Sequence, residues 1–119
     1  WQVPLGKGPT DHPAIAHLDL GDLGSVFSDV VAEGGVLVTK SLVISYLAAK
    51  DEIGPEETGS ILVAFNKTNG TKAGEVYVDQ RLHGPIMSYQ HDEIQYIAVA
   101  GGGRDNDAEL LVFKLGNTP

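Results

Sequence analysis

Two apolar runs mark the middle of the chain. Residues 42–46 read Leu-Val-Ile-Ser-Tyr, and residues 60–65 read Ser-Ile-Leu-Val-Ala-Phe. Short runs rich in β-branched, aliphatic and aromatic side chains, bounded by polar turn residues, predict strands. Asn66-Lys67-Thr68-Asn69-Gly70 supplies a turn, because Asn tolerates left-handed backbone angles and Gly reaches them without steric cost. Beyond it Val76 and Val78 alternate with Glu75, Tyr77 and Asp79. That period of two predicts a returning strand with one face buried. Strands are expected at 36–40, 42–46, 60–65, 74–79, 85–90, 94–100 and 109–115. Lys40-Ser41 and His91-Asp92-Glu93 make tight hairpins. Residues 48–59 form a longer polar loop broken at Gly54-Pro55.

The first third of the chain lacks such a period. Residues 1–6 read as a strand end running into a loop. Residues 7–35 carry breakers at Gly-Lys-Gly-Pro and Asp-His-Pro. Residues 1–33 are thus a strand end and an irregular excursion. A short helix between residues 23 and 32, capped by Asp22, fits the apolar spacing there. Seven short strands with turns every 8–15 residues and little helix predict an all-β chain: a sandwich, a barrel or a propeller.

Charge narrows the partners. The 119 residues carry a net charge of −8. Basic patches dominate affinity for nucleic acid, so nucleic acid is excluded as a partner. No stretch approaches the roughly 18 apolar residues of a bilayer-spanning helix, so no membrane insertion is expected. The absence of cysteine removes disulfides and thiolate chemistry. The chain opens at Trp1 rather than Met, which reads as processing, trimming or a piece of a longer protein.

Residues 64–74 resemble one repeat of the quinoprotein β-propellers, which runs approximately Ala-x-Asp-x-x-Thr-Gly-x-x-x-Trp. Ala64, Asn66 and Gly70 keep the pattern, Asn69 stands for Thr, and Gly74 stands where the docking Trp would be. Trp1 would be the closing Trp of a preceding repeat. Gly34–Ser45, GGVLVTKSLVIS, is similar to a Gly-Gly-x-x-Val-Thr-x-x-x-Leu-Val-Phe strand pair of the pyrroloquinoline-quinone (PQQ) dehydrogenases of the membrane glucose dehydrogenase and quinoprotein alcohol dehydrogenase type. Residues 84–103, GPIMSYQHDEIQYIAVAGGG, resemble their Pro-Met-Thr-Tyr stretch and the Gly-rich loop that follows it. The resemblance implies a C-terminal propeller fragment of two antiparallel blades, at 36–79 and 85–115. The second blade then has three of its four strands.

It also implies a parent enzyme that oxidises alcohols or aldose sugars with PQQ and calcium, in the periplasm or outside the cell. The family's calcium carboxylate and catalytic Asp belong to blades that are not in this chain. No catalytic or metal-binding residue is therefore assigned, and the isolated chain is expected to hold no cofactor. The Gly-rich loop of the last blade lies near the quinone in the family, which makes Gly102, Gly103 and Arg104 the candidate cofactor-binding residues. The substitution of Gly74 for the docking Trp implies weaker locking between neighbouring blades.

Other chemistry gains little from the pattern. Asp105-Asn106-Asp107-Ala108-Glu109 places oxygens at alternate positions, as calcium favours, but lacks the Gly and the distant Glu of an EF-hand and reads as a solvated turn. His12, His17, His83 and His91 show no zinc spacing. Asp51-Glu52 and Glu56-Glu57 read as a solvated loop. Asn66-Lys67-Thr68 and Asn69-Gly70-Thr71 are glycosylation sequons with meaning only in a eukaryotic secreted protein. Seven strands do not close a propeller. Faces carrying Ile61, Val63, Val76, Val78, Ile97 and Val99 therefore need cover, from missing N-terminal blades, by self-association, or in a two-sheet β-sandwich. The alternative function is a non-catalytic sheet module that binds a protein or carbohydrate partner.

Overall fold

The computed structural model describes residues 1–6, 12–21, 35–51, 53, 56–102 and 107–116. The expected helix between 23 and 32 lies outside the described residues. All seven strands form: β1 (Val36–Val38), β2 (Leu42–Ala48), β3 (Ser60–Asn66), β4 (Lys72–Val78), β5 (Leu82–His91), β6 (Ile94–Gly101) and β7 (Glu109–Lys114). A 3-10 turn at Ala16–Leu18 and another at Ala49–Asp51 are the only helical pieces among the described residues. The chain is all-β. It makes a four-stranded sheet in the order β1-β2-β3-β4 and a three-stranded sheet in the order β5-β6-β7. Every pairing is antiparallel between sequence neighbours.

Local chemistry closes each hairpin. Between β1 and β2 the Thr39 N–H donates to the Leu42 carbonyl at 2.8 Å, and the Thr39 hydroxyl accepts from the Leu42 N–H at 3.0 Å. Between β3 and β4 the Asn66 side chain accepts from the Thr68 N–H, and Asn69 accepts from both the N–H and the hydroxyl of Thr71. These are the Asx turns that Asn favours. A bulge follows, since Ala64 pairs with Gly74 while Phe65 pairs with Lys72. The 48–59 loop is less polar at its start than its composition suggests. Ala49 is fully buried there, and its N–H donates to the Gly59 carbonyl at 3.0 Å.

The two central strands of the larger sheet are covered on both sides. One side of β2 and β3 faces the smaller sheet, and Ile44 and Leu62 line the gap opposite Ile97 and Phe113. On the other side Leu47, Val63 and Phe65 lie under Pro4 and Leu5. The sheets come closest where β5 runs beside β1 and β2. Two polar bonds fix that approach. The Tyr46 hydroxyl donates to the Gly84 carbonyl at 2.7 Å, and the buried Ser60 hydroxyl accepts from the Leu82 N–H at 3.0 Å. Of the six apolar residues expected to need a partner, Ile61, Val63, Val78, Ile97 and Val99 are buried within this one chain, and Val76 stays half exposed. The face of the smaller sheet turned away from the larger one still shows Met87, Tyr89, Leu110 and Val112 to solvent.

The β5–β6 hairpin carries identifiable strain. Its ladder continues through the His91–Ile94 pair, so the loop is only Asp92-Glu93. Both residues are left-handed, with φ of 49° and 66°. A two-residue hairpin turn asks for positive φ at both positions and normally takes Gly at the second. Glu93→Gly is expected to raise stability by about 0.5–1 kcal/mol, because removing the Cβ relieves more strain than the added unfolded-state freedom costs. Urea unfolding of the two proteins checks this; an unchanged or lower midpoint would overturn it.

Candidate functional site

The candidate loop begins where β6 ends. Gly102 has φ of 75°, and its N–H donates to the Arg81 carbonyl at 2.9 Å. A Cβ on Gly102 would collide with the Asp107 carbonyl and stand 3.0 Å from Oε1 of Gln80. Glycine is therefore required at this position. The close approach that requires it comes from the returning arm of the same hairpin and from Gln80, not from an open face on which a cofactor could lie. Gly103 and Arg104 lie outside the described residues.

Gln80 is a residue that the sequence pattern did not single out. It sits between β4 and β5, and its Nε2 donates to the Glu109 carboxylate at 2.7 Å. That bond fixes the orientation of the amide, because the opposite one would set oxygen against carboxylate. Oε1 then points inward beside Gly101 and Gly102, buried and without a hydrogen-bond partner among the described residues. Nothing in the local sequence marks this. Gln80 reaches Glu109 across 29 positions, through the pairing of β6 with β7.

The metal candidates do not come together. Among the described residues no three His, Cys, Asp or Glu side chains converge on a point that could hold an ion. Of the five residues 105–109, the structure describes 107–109, and the Glu109 carboxylate is occupied by Gln80. His12 accepts from the Ala14 N–H at 3.1 Å within its own turn, and His91 lies 3.3 Å from Asp92 at the exposed hairpin.

A second feature is built with more definition. The indole N–H of Trp1 donates to the Lys67 carbonyl at 2.8 Å. Its ring lies against Gly70, where a Cβ would come within 2.6 Å of the ring. Gly70 has φ of 77°, and its N–H is held by the Asn66 carbonyl at 2.8 Å. The turn that follows β3 is thus shaped as a seat for the ring of Trp1. From there Val3 and Leu5 pack against the hydrophobic core. Sequence reading named both Trp1 and Gly70 but had no means of seeing that they meet.

No known family model, curated protein or solved structure matches the chain. Among the described residues, no helix is long and apolar enough to cross a membrane.

Gly102→Val combines a φ closed to branched side chains with a backbone collision. It is expected to cost about 2–3 kcal/mol, well beyond the roughly ±0.5 kcal/mol of an ordinary surface change. A thermal melt that matched the parent chain would show the glycine to be incidental.

Proposed function

We propose that this chain is the C-terminal, two-blade portion of a quinoprotein dehydrogenase-like propeller. The parent oxidises alcohols or aldose sugars with PQQ as hydride acceptor and calcium beside it, in the periplasm or outside the cell. The segment itself supplies scaffold and one rim of the funnel above the cofactor. The observation that carries this reading is the seating of Trp1 on the turn at Asn66–Gly70. The resemblance makes Trp1 the last residue of one repeat and residues 64–74 the next repeat. A ring from one repeat clasping the turn of another is how such repeats are locked. The strand arrangement supports it too: sequential four- and three-stranded antiparallel sheets approach each other at their first strands and part toward their last. The chemistry belongs to upstream blades of the parent, where the resemblance puts the calcium carboxylate and the catalytic Asp.

The parent protein, loaded with PQQ and calcium, is expected to reduce a phenazine dye when given an alcohol or an aldose. The 119-residue chain under the same conditions is expected to give no turnover. Saturable turnover by the short chain would overturn the scaffold role. No turnover by the loaded parent would overturn the dehydrogenase reading and leave a non-catalytic module that binds a protein or carbohydrate.

The clasp has its own test. Trp1 is the sole tryptophan, so its fluorescence reports the seat directly. Gly70→Ala should push the ring away, shift emission to the red, and cost about 1–2 kcal/mol through the left-handed φ. Emission unchanged from the parent chain would show that the ring does not depend on Gly70.

A further inference from the structure

Two asparagines stand in the turn after β3, each held in an Asx turn. Asn66 Oδ1 accepts from the Thr68 N–H at 2.9 Å, and Asn69 Oδ1 accepts from the Thr71 N–H at 3.0 Å. They differ in two respects. Asn69 Oδ1 accepts a second bond, from the Thr71 hydroxyl at 2.7 Å. Asn69 is also followed by Gly70, whose nitrogen has no side chain beside it, whereas Asn66 is followed by Lys67. The bond to the Thr71 N–H folds the Asn69 amide back along the peptide that joins it to Gly70. Asn69 is exposed, so water and hydroxide reach it. The Gly70 N–H is held by the Asn66 carbonyl at 2.8 Å, and that bond must open for the nitrogen to react.

We propose that this turn modifies itself at Asn69. Hydroxide takes the proton of the Gly70 N–H, and the nitrogen attacks Cγ of Asn69. The tetrahedral intermediate carries its negative charge on Oδ1, where the Thr71 N–H and hydroxyl already point, a pair of preorganised donors for a developing oxyanion. The bond from Cγ to the side-chain nitrogen breaks, and that nitrogen takes a proton from water and leaves as ammonia. The succinimide left behind joins Cγ to the Gly70 nitrogen. Water opens it at Cγ to give aspartate, or at the backbone carbonyl carbon to give isoaspartate, whose main chain is one carbon longer. Nothing is oxidised or reduced, and water is the sole co-reactant. Isoaspartate lengthens a loop that the bond from the Asn66 N–H to the Thr71 carbonyl closes at 2.7 Å. Gly70 then shifts from its place against the Trp1 ring, where even a Cβ finds no room. The modification is thus a one-way release of the Trp1 clasp. It stands on the geometry of the turn and does not depend on the quinoprotein reading.

The test is incubation of the 119-residue chain in mildly alkaline buffer, followed by tryptic mapping against an unincubated sample. Lys67 lies between the two asparagines and Lys72 follows them, so trypsin places Asn69 on the peptide 68–72 and Asn66 on another. The unit mass gain of amide-to-acid conversion is expected on peptide 68–72, several-fold faster than on the peptide with Asn66. Isoaspartyl methyltransferase, which labels isoaspartate and not aspartate, should label the same peptide. Emission of Trp1, the sole tryptophan, should move to the red in step with that label. Thr71→Val removes the hydroxyl from an exposed side chain and keeps its shape and its N–H. It should slow conversion several-fold in the folded chain and leave the rate unchanged in urea, where the turn is lost. Freshly prepared Asn69→Asp accepts the same bonds and should keep native emission, which assigns the red shift to the longer main chain rather than to the new charge. Conversion of Asn69 no faster than that of Asn66, a Thr71→Val rate equal to that of the unsubstituted chain, a Thr71→Val effect that persists in urea, emission unmoved at full conversion, or an equal red shift in Asn69→Asp would each overturn the proposal.

Discussion

Burial of the β2–β3 ladder from both sides is the constraint on which the rest of the structure depends. Ile44, Tyr46, Leu47, Ile61, Leu62 and Val63 point alternately to opposite faces of one sheet, yet all are buried. A single antiparallel sheet with one face in water would leave half of them wet, at about 25 cal/mol for each Å² of apolar surface. The chain meets this demand with two different covers. The smaller sheet closes over one face, and the short segment that begins at Trp1 lies across the other. Each cover is then fastened by a polar bond at its margin: Tyr46 and Ser60 to the start of β5, and the Trp1 indole to the turn after β3.

The strands farther from this ladder show the opposite balance. β4 is exposed along nearly its whole length, and the alternate residues Leu110 and Val112 of β7 face solvent. Such edges leave backbone groups open to pairing. Gly74 of β4 faces open space, while the central residues of β2 and β3 are buried.

The Gly-rich loop shows how a local rule can be satisfied for a reason other than the expected one. Positive φ at Gly102 follows from its close contact with the Asp107 carbonyl and the Gln80 amide, so the hairpin itself accounts for the glycine. A glycine that the backbone needs carries no message about a ligand unless the space a Cβ would fill opens onto one. At Gly74 that space is open; at Gly102 it is already occupied by protein.

The sequence by itself determined the strands. Continuous apolar runs, the alternation at 75–79 and turn-forming residues at each break placed all seven, because side-chain period and turn chemistry act over a few residues. The ends shifted by a few residues where pairing extended them, as in β5, which starts at Leu82 because its bulge around Pro85 still leaves Leu82 opposite Gly101. The unbroken runs of β2 and β3 also carried the double-sided burial implicitly, since a half-exposed strand would have alternated. Only the tertiary structure decided which segments supply the two covers, that Trp1 seats on Gly70, that Gln80 meets Glu109, and that Gly74 lines the gap between the sheets. Each of these joins residues about 30 or more positions apart, or sets the distance between two sheets. That distance comes from the summed packing of many side chains, which no local period encodes.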